Sequence, residues 1–223
     1  MSQGLDRHSS RSHRAAPGGR GVRPARSTRL PREQRRSQLL GVALEVFSTH
    51  GYHKASMDEI AEAAGVSKPV LYQHFPGKRE LYLALVDDHL EQLAARLLTA
   101  LRSSAVNRTR VESMLNVYFD FVADSPNAYR LIFETDQMAD AEIRSRFENF
   151  HLGVAEAIGS VLGPNAGISQ AHAVMLARSL TAMAEAGAYY WAHNPSVGDR
   201  AEAQRQVFRL AWGGISIIDE DWQ

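Results

Sequence analysis

The chain has 223 residues, 44% of them hydrophobic and 22% charged, which is typical of a soluble globular protein with one large or two small domains. It contains no cysteine, which excludes disulfides, cysteine-based zinc sites and thiol catalysis. The formal net charge is zero, but residues 1–80 carry 14 basic and 7 acidic side chains, whereas residues 81–223 carry 11 and 18. We therefore expect only the first part of the chain to bind a polyanion.

Several function classes are not indicated. No apolar segment follows the first residues, and the most apolar stretch, 171–191, contains an arginine and a glutamate, so neither a secretory signal nor a membrane span is predicted. We found no phosphate-binding glycine loop, no HExxH and no nucleophile-elbow sequence. A cytoplasmic, non-enzymatic protein without a cofactor or a metal is the expectation.

Residues 1–31 lack hydrophobic periodicity and are rich in Arg, Ser, Gly and Pro, which predicts a disordered, Arg-rich arm. Four arginines recur at every third position: Arg20, Arg23, Arg26 and Arg29. Two interpretations remain open at this point. The arm is a solvated tail, or it adds phosphate contacts or enters a minor groove.

Residues 32–80 predict a three-helix domain with a helix-turn-helix. The first helix carries apolar residues up to Phe47, and Gly51 stands where a helix would end. Ser56 and Glu59 form a capping-box pattern that begins the second helix, which runs to residue 64. Gly65 can take the positive φ of the tight turn that follows.

A third helix is predicted from its cap, Ser67, to about His74, and Lys78 begins a long fourth helix. The interior of the motif is expected to consist of Phe47, Ile60, Ala61, Ala64, Val66, Leu71, Phe75 and Leu81. The outer side of the third helix then carries the residues suited to contact DNA, namely Ser67, Lys68, Pro69, Tyr72, Gln73 and His74, with Lys78 as a further phosphate contact.

These residues resemble the DNA-binding domain of the TetR family of bacterial regulators. The resemblance covers about residues 33–82 and rests on the segments FSTHGY, IAEAAGVS, LYQHF and KREL. It implies a homodimer that places one recognition helix per subunit in successive major grooves of a pseudo-palindromic operator. It also implies a DNA contact at Ser56, where the family usually has Thr.

A narrower resemblance extends over both parts of the chain. The words RLPREQRR, GYH, MDEIA, SKPVLYQHF, YRLIFE and AWGG are similar to those of actinobacterial TetR-type regulators of fatty-acid synthesis. That resemblance implies an activator of a fatty-acid synthase operon that senses long-chain acyl-CoA.

Residues 81–223 are expected to form a helical ligand-binding and dimerisation domain, so the predicted fold is all-α. Helices are predicted over 107–123, 127–136, 139–162, 169–193 and 200–217, with breaks at Ser125-Pro126-Asn127, Gly163-Pro164-Asn165 and Asn194-Pro195. The last two helices are rich in small or apolar residues and are predicted to pack on their symmetry mates as a four-helix dimer core. Arg178 and Glu185 share a face, as a solvated stripe or as a polar contact across the dimer.

Five residues are predicted to line a cavity for a hydrophobic effector: Phe119, Phe133, Phe147, Met175 and Met183. Arg130 is either a contact for an anionic head group or the partner of Glu134 in a surface ion pair. Three alternatives to the acyl-CoA-responsive activator are kept open: a TetR-type repressor of an efflux or catabolic operon released by another hydrophobic ligand, a ligand-independent architectural DNA-binding protein, and an acyl-binding enzyme.

Overall fold

The computed structural model describes residues 30–134 and 136–217. Within these ranges the chain folds into nine α-helices without a strand, which confirms the all-α class. The predicted arm, residues 1–31, lies outside the described residues except for its last two positions. No helix of the described chain is long and apolar enough to cross a membrane.

The first four helices are α1 (Arg32–Lys54), α2 (Met57–Ala63), α3 (Lys68–His74) and α4 (Lys78–Arg102). The remaining five are α5 (Asn107–Asp124), α6 (Pro126–Phe133), α7 (Ala141–Asn165), α8 (Gln170–His193) and α9 (Arg200–Ile215). Two 3₁₀ turns, Asp136–Ala139 and Pro195–Val197, precede α7 and α9. The predicted order of helices is confirmed, but α6 ends three residues early because the first of these turns follows it.

Turn and cap residues shape the first three helices largely as predicted. Gly65 has φ +64°, and Gly51 has φ +74°, although one further turn of helix follows Gly51 instead of a loop. The Ser56 Oγ accepts a hydrogen bond from the Glu59 N–H at 3.1 Å, so half of the predicted capping box forms. The other half does not form, because the Glu59 carboxylate lies 3.0 Å from the His50 Nε2.

One contiguous hydrophobic core runs from α1 to α9. Phe47, Ile60, Leu71, Phe75 and Leu81 are at most 3% exposed, which confirms the predicted interior of the helix-turn-helix. The same core continues through α4 and α5 into the helices of the C-terminal half. The boundary between domains 32–80 and 81–223 stays a prediction, since residues 32–217 pack as part of one compact unit.

The predicted break at Gly163-Pro164-Asn165 is wrong, because α7 continues through Pro164 to Asn165. Proline lacks an N–H and is expected to disrupt a helix interior, but here it lies in the last turn, where one lost bond matters least. The chain leaves the helix only afterwards, at Gly167, which has φ +62°.

Four of the small residues of α8 pack within the chain. Ala173, Ala177, Ala184 and Ala188 are at most 4% exposed, so they fill the interior of this subunit. A Cβ atom built on Gly159 of α7 would lie 3.1 Å from the Val174 backbone nitrogen of α8. Small residues on both helices therefore bring α7 and α8 into close contact within one subunit.

Candidate nucleic-acid interface

The outer side of α3 presents most of the side chains that the sequence assigns to DNA contact. Ser67, Lys68, Pro69 and Gln73 are exposed, and Tyr72 is 47% exposed, which is unusual for a large ring in such a small domain. Leu71, between them in sequence, is fully buried and fixes the helix to the core. One face of this short helix therefore packs on the core, and the opposite face is free to contact DNA.

The first turn of α3 is open to an anion. Ser67 is the N-cap residue, yet its side chain makes no capping bond, so its hydroxyl is not committed to the helix. Unpaired N–H groups at a helix start attract negatively charged oxygens, and a proline in the first turn removes no helical bond. Pro69 occupies that turn. Ser67 and the start of α3 can thus bind a phosphate.

The Lys68 side chain is held by α2. Its Nζ lies 2.7 Å from an Asp58 carboxylate oxygen, and this contact raises the pKa of Lys68 through a hydrogen bond and the opposite charge. Both side chains are more than 60% exposed, and exposed ion pairs are weak, so a phosphate can compete with Asp58 for the ammonium group.

Lys78 contacts protein rather than projecting outward. Its Nζ donates to the backbone carbonyl oxygens of Tyr52 (2.9 Å), His53 (3.2 Å) and Ala55 (3.0 Å), and it lies 4.7 Å from the Tyr52 ring centre. The three protons of the Lys78 ammonium group can therefore all be donated to carbonyl oxygens at the end of α1. The predicted contact between this side chain and a phosphate has no support in this arrangement and stays a prediction.

A set of arginines on α1 lies beside the end of α3. Burial and then the charges of Arg32, Arg36 and Arg35 lower the pKa of His74, so its imidazole is neutral at neutral pH. The Arg36 guanidinium also covers the Phe75 ring at 4.6 Å. These arginines are not among the predicted DNA contacts, although the basic segment that begins α1 is a signal for them in the sequence.

Ser56 retains a donor for DNA, because its oxygen accepts the Glu59 N–H bond while its hydroxyl proton remains to be donated. It precedes α2, and Ser67 precedes α3. Both helix starts of the helix-turn-helix therefore carry a hydroxyl.

Polar contacts join this region to α6 and α7. Arg79, at the start of α4, lies 3.0 Å from the Asp140 carboxylate, which caps α7, and 2.8 Å from Glu142. The Tyr82 hydroxyl donates to the Leu131 carbonyl oxygen at 3.1 Å, and the bond is buried. These contacts connect α4 to both α6 and α7.

The five residues predicted to line an effector cavity are dispersed. Phe133 and Phe147 meet with ring centres 6.2 Å apart, while the fully buried Phe119 packs against Trp191. Met183 is half-buried against the core, and Met175 is 57% exposed on the outside of α8. Of the five, Phe133 and Phe147 contact each other, and the lining role of all five stays a prediction.

Two small apolar cavities lie elsewhere, between α5, α7, α8 and α9. Their volumes are about 50 and 40 Å³, and four residues line both of them: Val111, Met114, Ile158 and Leu180. None of the five predicted lining residues borders either cavity. The sequence could not identify these walls, because their apolar spacing is the same as that of ordinary core residues.

Two charged groups of the C-terminal half differ in their surroundings. Arg130 pairs with Glu134 at 3.5 Å, which supports the ion-pair alternative for this residue. Arg178, in contrast, points inward, and its Nη1 atom is buried without a hydrogen-bond partner. A solvated stripe is therefore the wrong interpretation of Arg178.

Comparisons with known proteins agree with this geometry. The model of bacterial regulatory proteins of the tetR family matches residues 39–85, which include α2 and α3. The HTH-type transcriptional activator FasR of Mycolicibacterium smegmatis is 40% identical over 193 residues, covering 86% of this chain and 88% of that protein.

Solved structures share the fold. A tetR-family transcriptional regulator from Streptomyces coelicolor aligns with a TM-score of 0.66 and 27% identity, covering 86% of each chain. FadR from Bacillus subtilis, in complex with stearoyl-CoA, aligns with a TM-score of 0.67 and 23% identity over 80% of this chain and 98% of that one. The helix-turn-helix, its exposed recognition face and the identity that extends through the C-terminal half lead to one conclusion: this chain belongs to the TetR family of DNA-binding transcriptional regulators.

Proposed function

We propose that this protein activates fatty-acid-synthesis genes and that long-chain acyl-CoA controls its affinity for their operators. The observation that carries the proposal is the 40% identity to the activator FasR, because it covers 86% of this chain and so includes the C-terminal half as well as the helix-turn-helix. Such a regulator acts in the cytoplasm, where the operator is.

The DNA-binding unit is a homodimer on a pseudo-palindromic operator. Exposed apolar side chains on α8, on α9 and just after α9 support this, since Met175, Tyr190, Leu210 and Ile217 are between 57% and 79% exposed. Exposed apolar patches of this kind mark interaction surfaces, and a two-fold axis pairs the same patch on both subunits. The four-helix dimer core then uses the outer faces of α8 and α9.

Each recognition helix α3 enters a major groove. Ser67 and Lys68 bind phosphate at its start, the Pro69 ring contacts a thymine methyl, Tyr72 donates to phosphate and Gln73 reads an adenine edge. The arginines at the start of α1 add phosphate contacts beside the end of α3. The family's contacts at Ser56, His74 and Lys78 complete the surface, with the Lys78 side chain as the weakest member because its ammonium already binds three carbonyl oxygens.

Effector control is a population shift. The two cavities, about 50 and 40 Å³, are far below the roughly 300–1,000 Å³ of typical ligand sites, so an acyl chain that binds there has to separate α5, α7 and α8. A spacing of about 34–36 Å between the two recognition helices fits consecutive major grooves, and a ligand that favours another spacing releases the DNA.

The DNA-binding assignment is tested with Lys68→Ala and Tyr72→Ala. We expect both to weaken operator binding, and Lys68→Ala to reduce the salt dependence of log K by about one phosphate contact. The matched control is Lys54→Ala, an exposed lysine at the end of α1. Wild-type affinity in both α3 variants at equal salt contradicts the role of α3.

A genome-wide binding map tests the regulon. We expect peaks at promoters of fatty-acid-synthesis genes, and lower transcription from those promoters when the protein is deleted. Peaks confined to efflux or catabolic operons, with higher transcription on deletion, favour the repressor alternative. An absence of any response of DNA binding to acyl-CoA contradicts the effector while leaving the DNA-binding role intact.

A further inference from the structure

We propose that Tyr118 and Arg178 form an internal subsite that binds a carboxyl-derived oxygen, the carboxylate of a fatty acid or the carbonyl of an acyl thioester, at one end of an apolar effector. The inference rests on the proposed sensing of an acyl compound and adds where its polar atom binds.

The first observation is a pair of buried donors without acceptors. The Tyr118 hydroxyl on α5 and the Arg178 Nη1 on α8 are shielded from solvent; the Nη1 atom has no hydrogen-bond partner, and the hydroxyl has none apart from a marginal contact with the Thr181 side chain. Tyr118 is only 3% exposed. Native proteins leave few buried polar atoms unsatisfied, and an unpaired guanidinium nitrogen is among the costliest, so a ligand that completes these bonds is a physical reason for the pair.

The second observation places Tyr118 beside a cavity, with Arg178 one helical turn from a second lining residue, Thr181. Tyr118 and Thr181 border the larger apolar cavity, whose other walls are aliphatic. Thr181 lies one turn beyond Arg178 on α8, and its hydroxyl donates to the Arg178 carbonyl oxygen at 3.0 Å. An apolar space with donors at one edge matches a ligand with a long hydrocarbon part and one acceptor.

The surrounding charges leave the guanidinium incompletely compensated. Glu185 lies two turns along α8, and burial raises the pKa of its carboxyl, while Arg178 lowers it. On α7, burial and then the charge of Arg178 lower the pKa of His151 to about 4, so this ring is neutral at neutral pH. Burial and then the charge of Glu185 raise the pKa of the Tyr118 phenol, while Arg178 and a contact with Thr181 oppose this shift. The site therefore keeps a cation and a hydroxyl donor for an incoming oxygen.

The chemistry selects among ligands. Arginine has only donors and stays protonated in proteins, so the subsite accepts a carboxylate or carbonyl oxygen and rejects an ammonium group. A hydrocarbon end alone would leave both donors unsatisfied. The polar end of the effector is thus predicted to lie inside, between α5 and α8.

The test measures the affinities of dodecanoate, dodecanoyl-CoA and dodecylammonium for the full chain by calorimetry. Tyr118→Phe removes one hydroxyl at nearly constant shape, and Arg178→Met removes the charge. We expect about tenfold weaker binding of the accepted ligand to Tyr118→Phe and about a hundredfold weaker binding to Arg178→Met. Arg205→Met, an exposed charge loss on α9, is the matched control and retains wild-type affinity.

A second readout separates binding from folding. Because Arg178→Met removes a buried, incompletely paired charge, the ligand-free variant should melt at or above the wild-type temperature while its ligand-induced rise is lost. A merely structural Arg178 would instead lower the melting temperature of the free protein.

Each outcome is decisive. Loss of dodecanoate binding in both variants, with no binding of dodecanoyl-CoA to any form, supports the subsite for a free acid and overturns acyl-CoA as effector. Loss of dodecanoyl-CoA binding in both variants supports the subsite for a thioester carbonyl. If dodecanoyl-CoA binds the wild type and both variants equally, the proposed function stands and the subsite is refuted. Equal affinity for dodecylammonium, or no binding of any probe to the wild type, also refutes it.

Discussion

The close contact between α7 and α8 predicts opposite effects for two glycine substitutions in one helix. A Cβ on Gly159 would lie 3.0 Å from Val174 Cγ2, 3.1 Å from the Val174 nitrogen and 3.3 Å from the Ala173 carbonyl carbon, whereas a Cβ on Gly153 has nothing within 4 Å. Both changes to alanine gain about 0.5–1 kcal/mol of helix propensity. Their difference therefore reports packing alone, which for a crowded position is about 1–3 kcal/mol.

We expect Gly153→Ala to raise the free energy of unfolding by about 0.5–1 kcal/mol and Gly159→Ala to fall about 1–3 kcal/mol below it. For a chain of this length each 1 kcal/mol corresponds to roughly 2–4 °C in Tm. Urea unfolding followed by far-UV circular dichroism, at one fixed protein concentration, measures the difference. If both variants are stabilised equally, α7 and α8 are not in the close contact described, and the account of the small residues in α8 fails with it.

Three further outcomes follow from other contacts. Lys78→Met should lower the free energy of unfolding by about 1.5–3 kcal/mol, because three carbonyl oxygens lose a charged donor. The control variant Lys54→Met should stay within about 0.5 kcal/mol of the wild type. Loss of DNA affinity in Lys78→Met at unchanged stability would instead favour the phosphate contact. The folded-state pKa of His151, about 4, lies below the ordinary 6.5, so the folded protein resists protonation and loses stability as pH falls from about 6.5 towards 4. Half-burial limits this loss to about 1–2 kcal/mol, and His151→Gln should remove it in urea titrations across pH; an unchanged slope refutes the assignment. Leu210→Glu on the outer face of α9 should convert the proposed dimer to monomers in light scattering, whereas Leu152→Glu, an equally apolar exposed site on α7, should not; a dimer in both cases places the interface elsewhere.

Local signals in the sequence predicted the helix-turn-helix well because its turn and caps depend on single residues. Gly65 has the positive φ that the turn requires, and Ser56 caps α2. Such signals failed where tertiary contacts competed with them. The Glu59 carboxylate pairs with His50 instead of closing the capping box, and Pro164 is accommodated inside the last turn of α7.

The C-terminal half was less predictable because α8 is apolar nearly all round. Its composition showed that the helix is buried but not which face meets which neighbour, so the inward direction of Arg178 and the exposure of Met175 could not be inferred. In the N-terminal half, the Lys78 side chain was unpredictable for the same reason. A lysine at a helix start suits a phosphate, and only the position of the end of α1 shows that carbonyl oxygens occupy its ammonium group.

The unbroken length of α4 has a mechanical consequence. This helix of 25 residues is about 37 Å long at 1.5 Å per residue, and it begins beside the recognition helix and ends near the cavities. For a straight helix of this length, a tilt of about 5° about its far end displaces its first residues by roughly 3 Å, about one base-pair step along the DNA axis. In the proposed effector response, a small tilt of α4 would therefore be enough to move each recognition helix out of register with its groove.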